Sequence, residues 1–254
     1  PRKIAYLWLE QRQLSPRKGK QLIAVSEFLS RNIVRNYPQN SASITIAYPG
    51  INPHPVEEID PIWRSEQNLP AQAFVLLFVA NDFRKKGLPT LIRALEQLNT
   101  PQIHLLVAGN GKQEALQIPD TVQPNIHFLG VIKEMEPLYA NVDALIHPTR
   151  MDTYGMVVLE AMAHRLPVIV SNRHYCGFSE HLTRQEAILL EDPRNPSEIA
   201  EKINFLFNHS EDRNRMAQRG FEKAQSITWD QTLEKSLIAY NRLIDSTHKT
   251  TNPL

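Results

Sequence analysis

Two segments of the chain carry residues whose types and spacing can do chemistry. The first, HPTRMDTYGMVVLEAMAHRLPVIVS from His147 to Ser171, reads as a strand end, a loop with Asp152, a helix opening near Tyr154 or Gly155, and a strand from Pro167. Unpaired amides at a helix N-terminus attract an anion, so those of Gly155, Met156 and Val157 are candidates for a phosphate, and Gly155 lets it approach the backbone. Glu160 follows a little over one helical turn later, and its carboxylate can accept two vicinal hydroxyls, as a ribose offers. Asp152, in the loop, can take sugar hydroxyls. The plainer alternative makes Asp152 a capping residue and Glu160 part of a solvated face. Against it, Glu160 sits among Val157, Val158, Leu159, Ala161, Met162 and Ala163. A carboxylate in so apolar a helix needs a partner, and a ligand is one.

The second segment, FVANDFRKKGLPTLIRAL from Phe78 to Leu95, again places a loop between a strand and a helix. Arg84, Lys85 and Lys86 there can compensate a diphosphate, the guanidinium as a fork and the ammonium groups as mobile point charges. A solvated charge run is the alternative; the position at a strand's carboxyl end favours the ligand.

Other signals are weaker. AGNGK (Ala108 to Lys112) has two glycines at a strand end, which a tight turn explains equally well. HYCGFSEH (His174 to His181) raises a zinc site, but there is no second cysteine and no H-E-x-x-H spacing. No metal is expected, because no Asp-x-Asp occurs to hold one under a diphosphate. G-x-S-x-G, the P-loop pattern and G-x-G-x-x-G are also absent, removing the simple hydrolase, P-loop and dinucleotide readings.

The elements that must position these loops follow from the hydropathy rhythm. Short apolar runs alternate with helical periods, which argues for parallel strands linked by helices, an α/β class. Strands are expected at 21–25, 44–48, 74–80, 103–108, 126–129, 144–147, 167–171 and 187–190, mostly continuous in apolar residues as in a sheet covered on both faces. Helices are expected at 88–98, with Pro89 in the first turn, and then at 196–208, 211–225 and 229–244, the last three closing the domain. Ser210 and Thr228 are the candidate N-caps. Prolines between Tyr48 and Pro61 mark a linker. The organisation expected is a remnant of a first domain over 1–52, a Rossmann-like ligand-binding domain over 53–228, and a final helix and tail over 229–254.

Composition narrows the partners. The 254 residues have a net charge of +1, so no global field draws the chain to nucleic acid. The lone cysteine, Cys176, favours a reducing compartment, and the chain reads as cytoplasmic. No apolar run approaches the roughly 20 residues that cross a bilayer. The first 20 residues hold six basic residues and one acid beside Ile4, Tyr6, Leu7 and Trp8, a composition suited to the face of an anionic membrane or to packing on another domain. The chain begins with proline and reads as a piece of something longer.

The D-x7-E of Asp152 and Glu160, with LPVIVS after it, resembles the E-x7-E signature of retaining GT-B glycosyltransferases of family 4. DFRKKG (Asp82 to Gly87), IAYPGINP (Ile46 to Pro53) and AVSEFLSR (Ala24 to Arg31) resemble further segments of that family, and HYCGFSEHL is most similar to the lipopolysaccharide core glucosyltransferase I group. The resemblance, from about Val25 to Trp229, implies the donor-binding carboxyl-terminal half of a GT-B fold. It implies that Glu160 holds the ribose and Asp152 the transferred sugar. Gly155, Met156 and Val157 would meet the diphosphate, Lys85 and Lys86 would stabilise the departing nucleoside diphosphate, and Val131 and Ile132 would meet the base. The implied donor is a nucleotide sugar, UDP-linked, with a glycan or glycolipid acceptor, transferred with retention and without a protein nucleophile. A non-catalytic nucleotide-sugar-binding or scaffold module on the same fold is the alternative.

Overall fold

The computed structural model describes residues 2–15, 20–52 and 60–248. In chain order the elements are α1 (Arg2–Leu14), β1 (Leu22–Ala24), α2 (Glu27–Asn36), β2 (Ile44–Ile46), α3 (Pro61–Glu66), β3 (Phe74–Val79), α4 (Leu88–Leu98), β4 (Ile103–Ala108), β5 (Ile126–Gly130), α5 (Glu136–Ala140), β6 (Ala144–His147), α6 (Met156–Ala163), β7 (Val168–Ser171), β8 (Ile188–Leu190), α7 (Pro196–Asn208), α8 (Ser210–Gln225) and α9 (Trp229–His248). They form two compact units, Pro1–Gly50 with Ile227–Leu254, and Ile51–Ser226.

In the smaller unit, β1 and β2 pair in parallel, with Leu22 opposite Ile44 and Ala24 opposite Ile46. Ser26 caps α2 by accepting the Leu29 N–H at 3.0 Å. The last helix, α9, packs on this pair of strands, and the Thr232 hydroxyl donates to the Tyr48 carbonyl at 2.6 Å. A side chain on Gly50 would meet the Thr228 backbone at 2.1 Å, so that approach requires glycine. On α1, Ile4, Tyr6, Leu7 and Trp8 are exposed. No described helix is long and apolar enough to cross a membrane.

The larger unit is a six-stranded parallel sheet in the order β5-β4-β3-β6-β7-β8. The continuous apolar runs have the expected cause: all six residues of β4 and five of the six in β3 are buried. Helices α4 and α7 pack together, as do α6 and α8. Leu88, Leu91, Ile92 and Leu95 of α4 join Ile199, Ile203 and Leu206 of α7 over Leu76, Phe78, Leu105, Val107 and Ile146. Gly87, at φ +89°, and Asn99, at φ +45°, close the ends of α4 in left-handed conformations.

The α/β class with a parallel sheet flanked by helices is what the hydropathy rhythm predicts, and all eight strands form within the expected segments or one residue beyond them. Three details differ. Ser210 is the first residue of α8, and the cap position belongs to His209. The helix from Trp229 runs on to His248. Of the three helices expected to close the domain, α9 clusters with the smaller unit.

The chain leaves β3 for β4 and β5 on one side and returns to β6 on the other, so β3 and β6 flank the point where strand order reverses. In such sheets ligands bind beyond the carboxyl ends of the strands at that point. The α4 packing that holds the β3 side of this crevice should dominate stability there. Leu91→Ala is expected to lower the unfolding free energy of the larger unit by about 2–5 kcal/mol, read by urea denaturation; a loss under 1 kcal/mol would contradict the packing described.

Candidate functional site

The loop after β3 reaches the loop after β6 through backbone contact. The Arg150 N–H donates to the Lys85 carbonyl at 3.0 Å. Gly87 lies so close that a Cβ there would be 2.1 Å from the Pro148 oxygen. The Arg150 guanidinium also donates to the Thr90 hydroxyl on α4 at 3.1 Å. A third loop, after β7, is stitched to the second: the Asp152 N–H donates to the Tyr175 carbonyl at 2.7 Å, Gly177 to the Asp152 carbonyl at 3.1 Å, and Phe178 to the Tyr154 carbonyl at 2.6 Å.

Within this frame Lys86 and Asp152 form an ion pair, both largely buried. His147, the last residue of β6, lies beneath them with its Nε2 2.9 Å from the same Asp152 oxygen. The other carboxylate oxygen accepts the Tyr154 N–H at 3.3 Å. Burial alone would raise the Asp152 carboxyl, but the hydrogen bonds from His147 and Lys86 and the charge of Lys86 outweigh it and leave it well below the usual carboxylate range. Burial lowers the His147 imidazole, against the raising effect of Asp152. The ring is therefore neutral near pH 7, and Lys86 is the cation that balances the carboxylate.

Gly155 precedes α6 at φ +99°, and a Cβ there would stand 2.7 Å from the Cys176 sulfur. Both facts require glycine, so the site needs it for backbone geometry as well as for any ligand's approach. The cap of α6 is Gly155 with no side-chain cap, so Asp152 turns the loop rather than capping the helix. The N–H groups of Gly155, Met156 and Val157 donate to no protein acceptor among the described residues. Cys176 is buried, its thiol donating to the Tyr154 carbonyl at 3.2 Å; burial, then the Asp152 charge, push it up to about 12.

Glu160, on α6, has a protein partner: the Tyr139 hydroxyl of α5 donates to its Oε2 at 2.8 Å. The apolar surroundings of α6 thus demanded a partner, as the sequence implies, and a buried tyrosine supplies one. Burial, then Glu160, raise the Tyr139 phenol. Its ring stacks at 4.8 Å on His164, which is anchored by Nδ1 to the Glu160 carbonyl at 2.8 Å.

The predicted residues thus divide. Lys86 and Asp152 meet directly; Arg84 and Lys85 are exposed on the same loop. Val131 is exposed and Ile132 half-buried just beyond β5. His147, Tyr139 and Cys176 are additions from the structure. The one sequence signal for His147 is an imidazole closing an otherwise apolar strand; for Tyr139 and Cys176 only the packing reveals the role. Among the described residues no three histidine, cysteine, aspartate or glutamate side chains are grouped to hold a metal. A separate cavity of about 440 Å³ runs along the edge strand β8 between α7 and α8, lined by Ile188, Phe205, Met216 and Arg219.

A family model described as glycosyl transferases group 1 matches residues 60–223. Lipopolysaccharide glucosyltransferase WaaG of Escherichia coli strain K12 is 28% identical over 188 residues, which cover 70% of this chain and 50% of that protein. The chain spans about half the length of the curated relatives it matches. The crystal structure of WaaG superposes with a TM-score of 0.75 at 23% identity, over 92% of this chain and 65% of that one. That of Anabaena Alr3699/HepE in complex with UDP-glucose gives 0.73 at 20% identity, over 89% and 64%. At such identities the likeness establishes the fold, which matches the carboxyl-terminal domains of GT-B glycosyltransferases.

Two outcomes follow from the buried groups. Cys176 is expected to resist an aromatic disulfide reagent at pH 8 in the folded protein and to react on unfolding; fast native reaction would place it at the surface. The folded His147 binds its proton less readily than the unfolded chain. Stability is therefore full above the ordinary histidine value of about 6.5 and falls as the pH drops below it. His104 and His127, also lowered by burial, add to this loss. Asp152 adds a further loss below its ordinary value of about 3.9. Urea midpoints should be lower at pH 5.5 than at 7.5; equal midpoints would contradict the neutral, buried imidazole.

Proposed function

The chain belongs to the glycosyl transferases group 1 family, and from that premise we propose that its larger unit binds a nucleotide-sugar donor, UDP-linked, in the crevice between the β3 and β6 loops. The observation that carries this reading is the Lys86–Asp152 pair beside the unpaired amides that open α6. Cations and unpaired amides suit a diphosphate, and carboxylates suit hydroxyls. In this assignment the amides of Gly155, Met156 and Val157 take the diphosphate together with Arg84, Lys85 and Lys86. Asp152 takes the sugar hydroxyls, Glu160 the ribose, and the backbone at Val131 and Ile132 the base. The UDP-glucose bound to the HepE neighbour supports the choice of uridine.

The intact protein, in this reading, is a retaining glycosyltransferase of family 4 acting on a glycan or lipopolysaccharide-type acceptor. The likeness to WaaG supports that acceptor class. The bond from the anomeric carbon to the diphosphate breaks, the acceptor oxygen bonds to that carbon on the same face, and the acceptor's proton passes to the leaving diphosphate. No protein nucleophile takes part. Fixed cations and amides aimed at the diphosphate stabilise the charge it gains as it leaves, and such preorganised electrostatics is commonly the largest contribution to catalysis. Residence at the cytoplasmic face of a membrane is part of the proposal and is supported by the exposed Ile4, Tyr6, Leu7 and Trp8 on α1.

Isothermal titration with UDP and UDP-glucose tests the donor site. Lys86→Ala and Glu160→Ala are each expected to weaken UDP binding by about tenfold or more, the effect of removing a hydrogen bond to a charged group. Variants that bind as well as the parent would contradict the assignment.

A further inference from the structure

Each of the two acids assigned to the donor accepts a hydrogen bond from a buried ring side chain, and Asp152 is held in addition by Lys86 on that same oxygen. His147 has 1% of its side chain exposed and meets Asp152 Oδ2 through Nε2 at 2.9 Å. Its Nδ1 is buried with no hydrogen-bond partner. A carboxylate oxygen only accepts, so Nε2 carries the proton and a neutral ring leaves Nδ1 as a bare acceptor. The opposite tautomer would bury an unpaired N–H and set a lone pair against the carboxylate, which costs more on both counts. Tyr139, 2% exposed and stacked on His164, donates its hydroxyl to Glu160 Oε2 at 2.8 Å.

In both cases the buried donor occupies one carboxylate oxygen; the other is open in Glu160 and takes a single backbone amide in Asp152. Among the described residues Asp152 Oδ1 accepts only the Tyr154 amide, at 3.3 Å. Glu160 Oε1 accepts no hydrogen bond among the described residues. An anchored oxygen fixes the rotation of the carboxylate and so aims the remaining one.

We propose that His147 and Tyr139 are a matched pair of positioning residues, His147 aiming Asp152 at the sugar of the donor and Tyr139 aiming Glu160 at its ribose. The proposal rests on the donor-site reading above. It divides recognition between two supports: the imidazole sets how much the sugar adds to binding, and the phenol sets how tightly the nucleotide binds.

The test is titration of the protein with UDP and with UDP-glucose for the parent, His147→Leu, His147→Gln and Tyr139→Phe, with thermal unfolding confirming that each variant is folded. In His147→Leu the ratio of the UDP-glucose to the UDP dissociation constant should rise about tenfold with UDP binding nearly unchanged. His147→Gln, whose amide N–H reaches toward the same oxygen, should recover most of the parent ratio. In Tyr139→Phe, UDP binding should weaken about tenfold while the ratio holds. A merely structural role for His147 would weaken both ligands alike in His147→Leu, and UDP binding unchanged in Tyr139→Phe would deny the phenol its part; either result overturns the proposal. If His147→Leu does not fold, His147→Gln and the imidazole nitrogen shifts of the parent decide: protonated Nε2 with bare Nδ1 supports the role, and the reverse tautomer or a charged ring at pH 7.5 overturns it. A parent that binds neither ligand instead overturns the donor-site reading itself.

Discussion

The larger unit depends on one charge pair held where strand order reverses. Lys86 and Asp152 come from loops far apart in sequence, and their meeting requires β3 and β6 to lie side by side with the intervening strands on the far flank. Both are mostly withdrawn from water, so each charge loses stabilisation when the other is removed. The sheet order that brings them together is therefore also the order that makes the crevice. His147 completes the arrangement from below, adding a donor without adding charge.

Around that pair the backbone is unusually constrained. Gly87 and Gly155 both adopt left-handed conformations and both stand where a Cβ would collide, with Pro148 and with Cys176 respectively. The three strand-end loops hydrogen-bond to one another in series, so the Lys86 loop, the Asp152 loop and the loop at Cys176 form one scaffold. The amides at the start of α6 are thereby pre-aimed, as a preorganised anion site requires.

The parallel sheet and the two chemically loaded loops were legible because they rest on local signals: unbroken apolar runs, a glycine before a helix, and charges at strand ends. Glu160 was legible in a stronger sense, since an acid among Val158, Leu159, Ala161 and Met162 predicts a partner even when the partner is unknown. That partner, Tyr139, was not legible, because it comes from α5 across the strand β6 and no spacing rule links the two. His147 was hidden by its position as the last residue of a buried strand, where its ring is read as packing. The cap of α8 was misplaced by one residue for a different reason: Ser210 has the chemistry of a cap, yet the helix opens at Ser210 itself and the cap position falls on His209.

The central claim, that the crevice between the β3 and β6 loops is the donor site, is tested most directly by a crystal structure of the protein grown with UDP-glucose. The account predicts density for the diphosphate between Lys86 and the first amides of α6, with the ribose on Glu160 and the hexose on Asp152. Nucleotide density in the cavity beside β8, with the crevice empty, would contradict it.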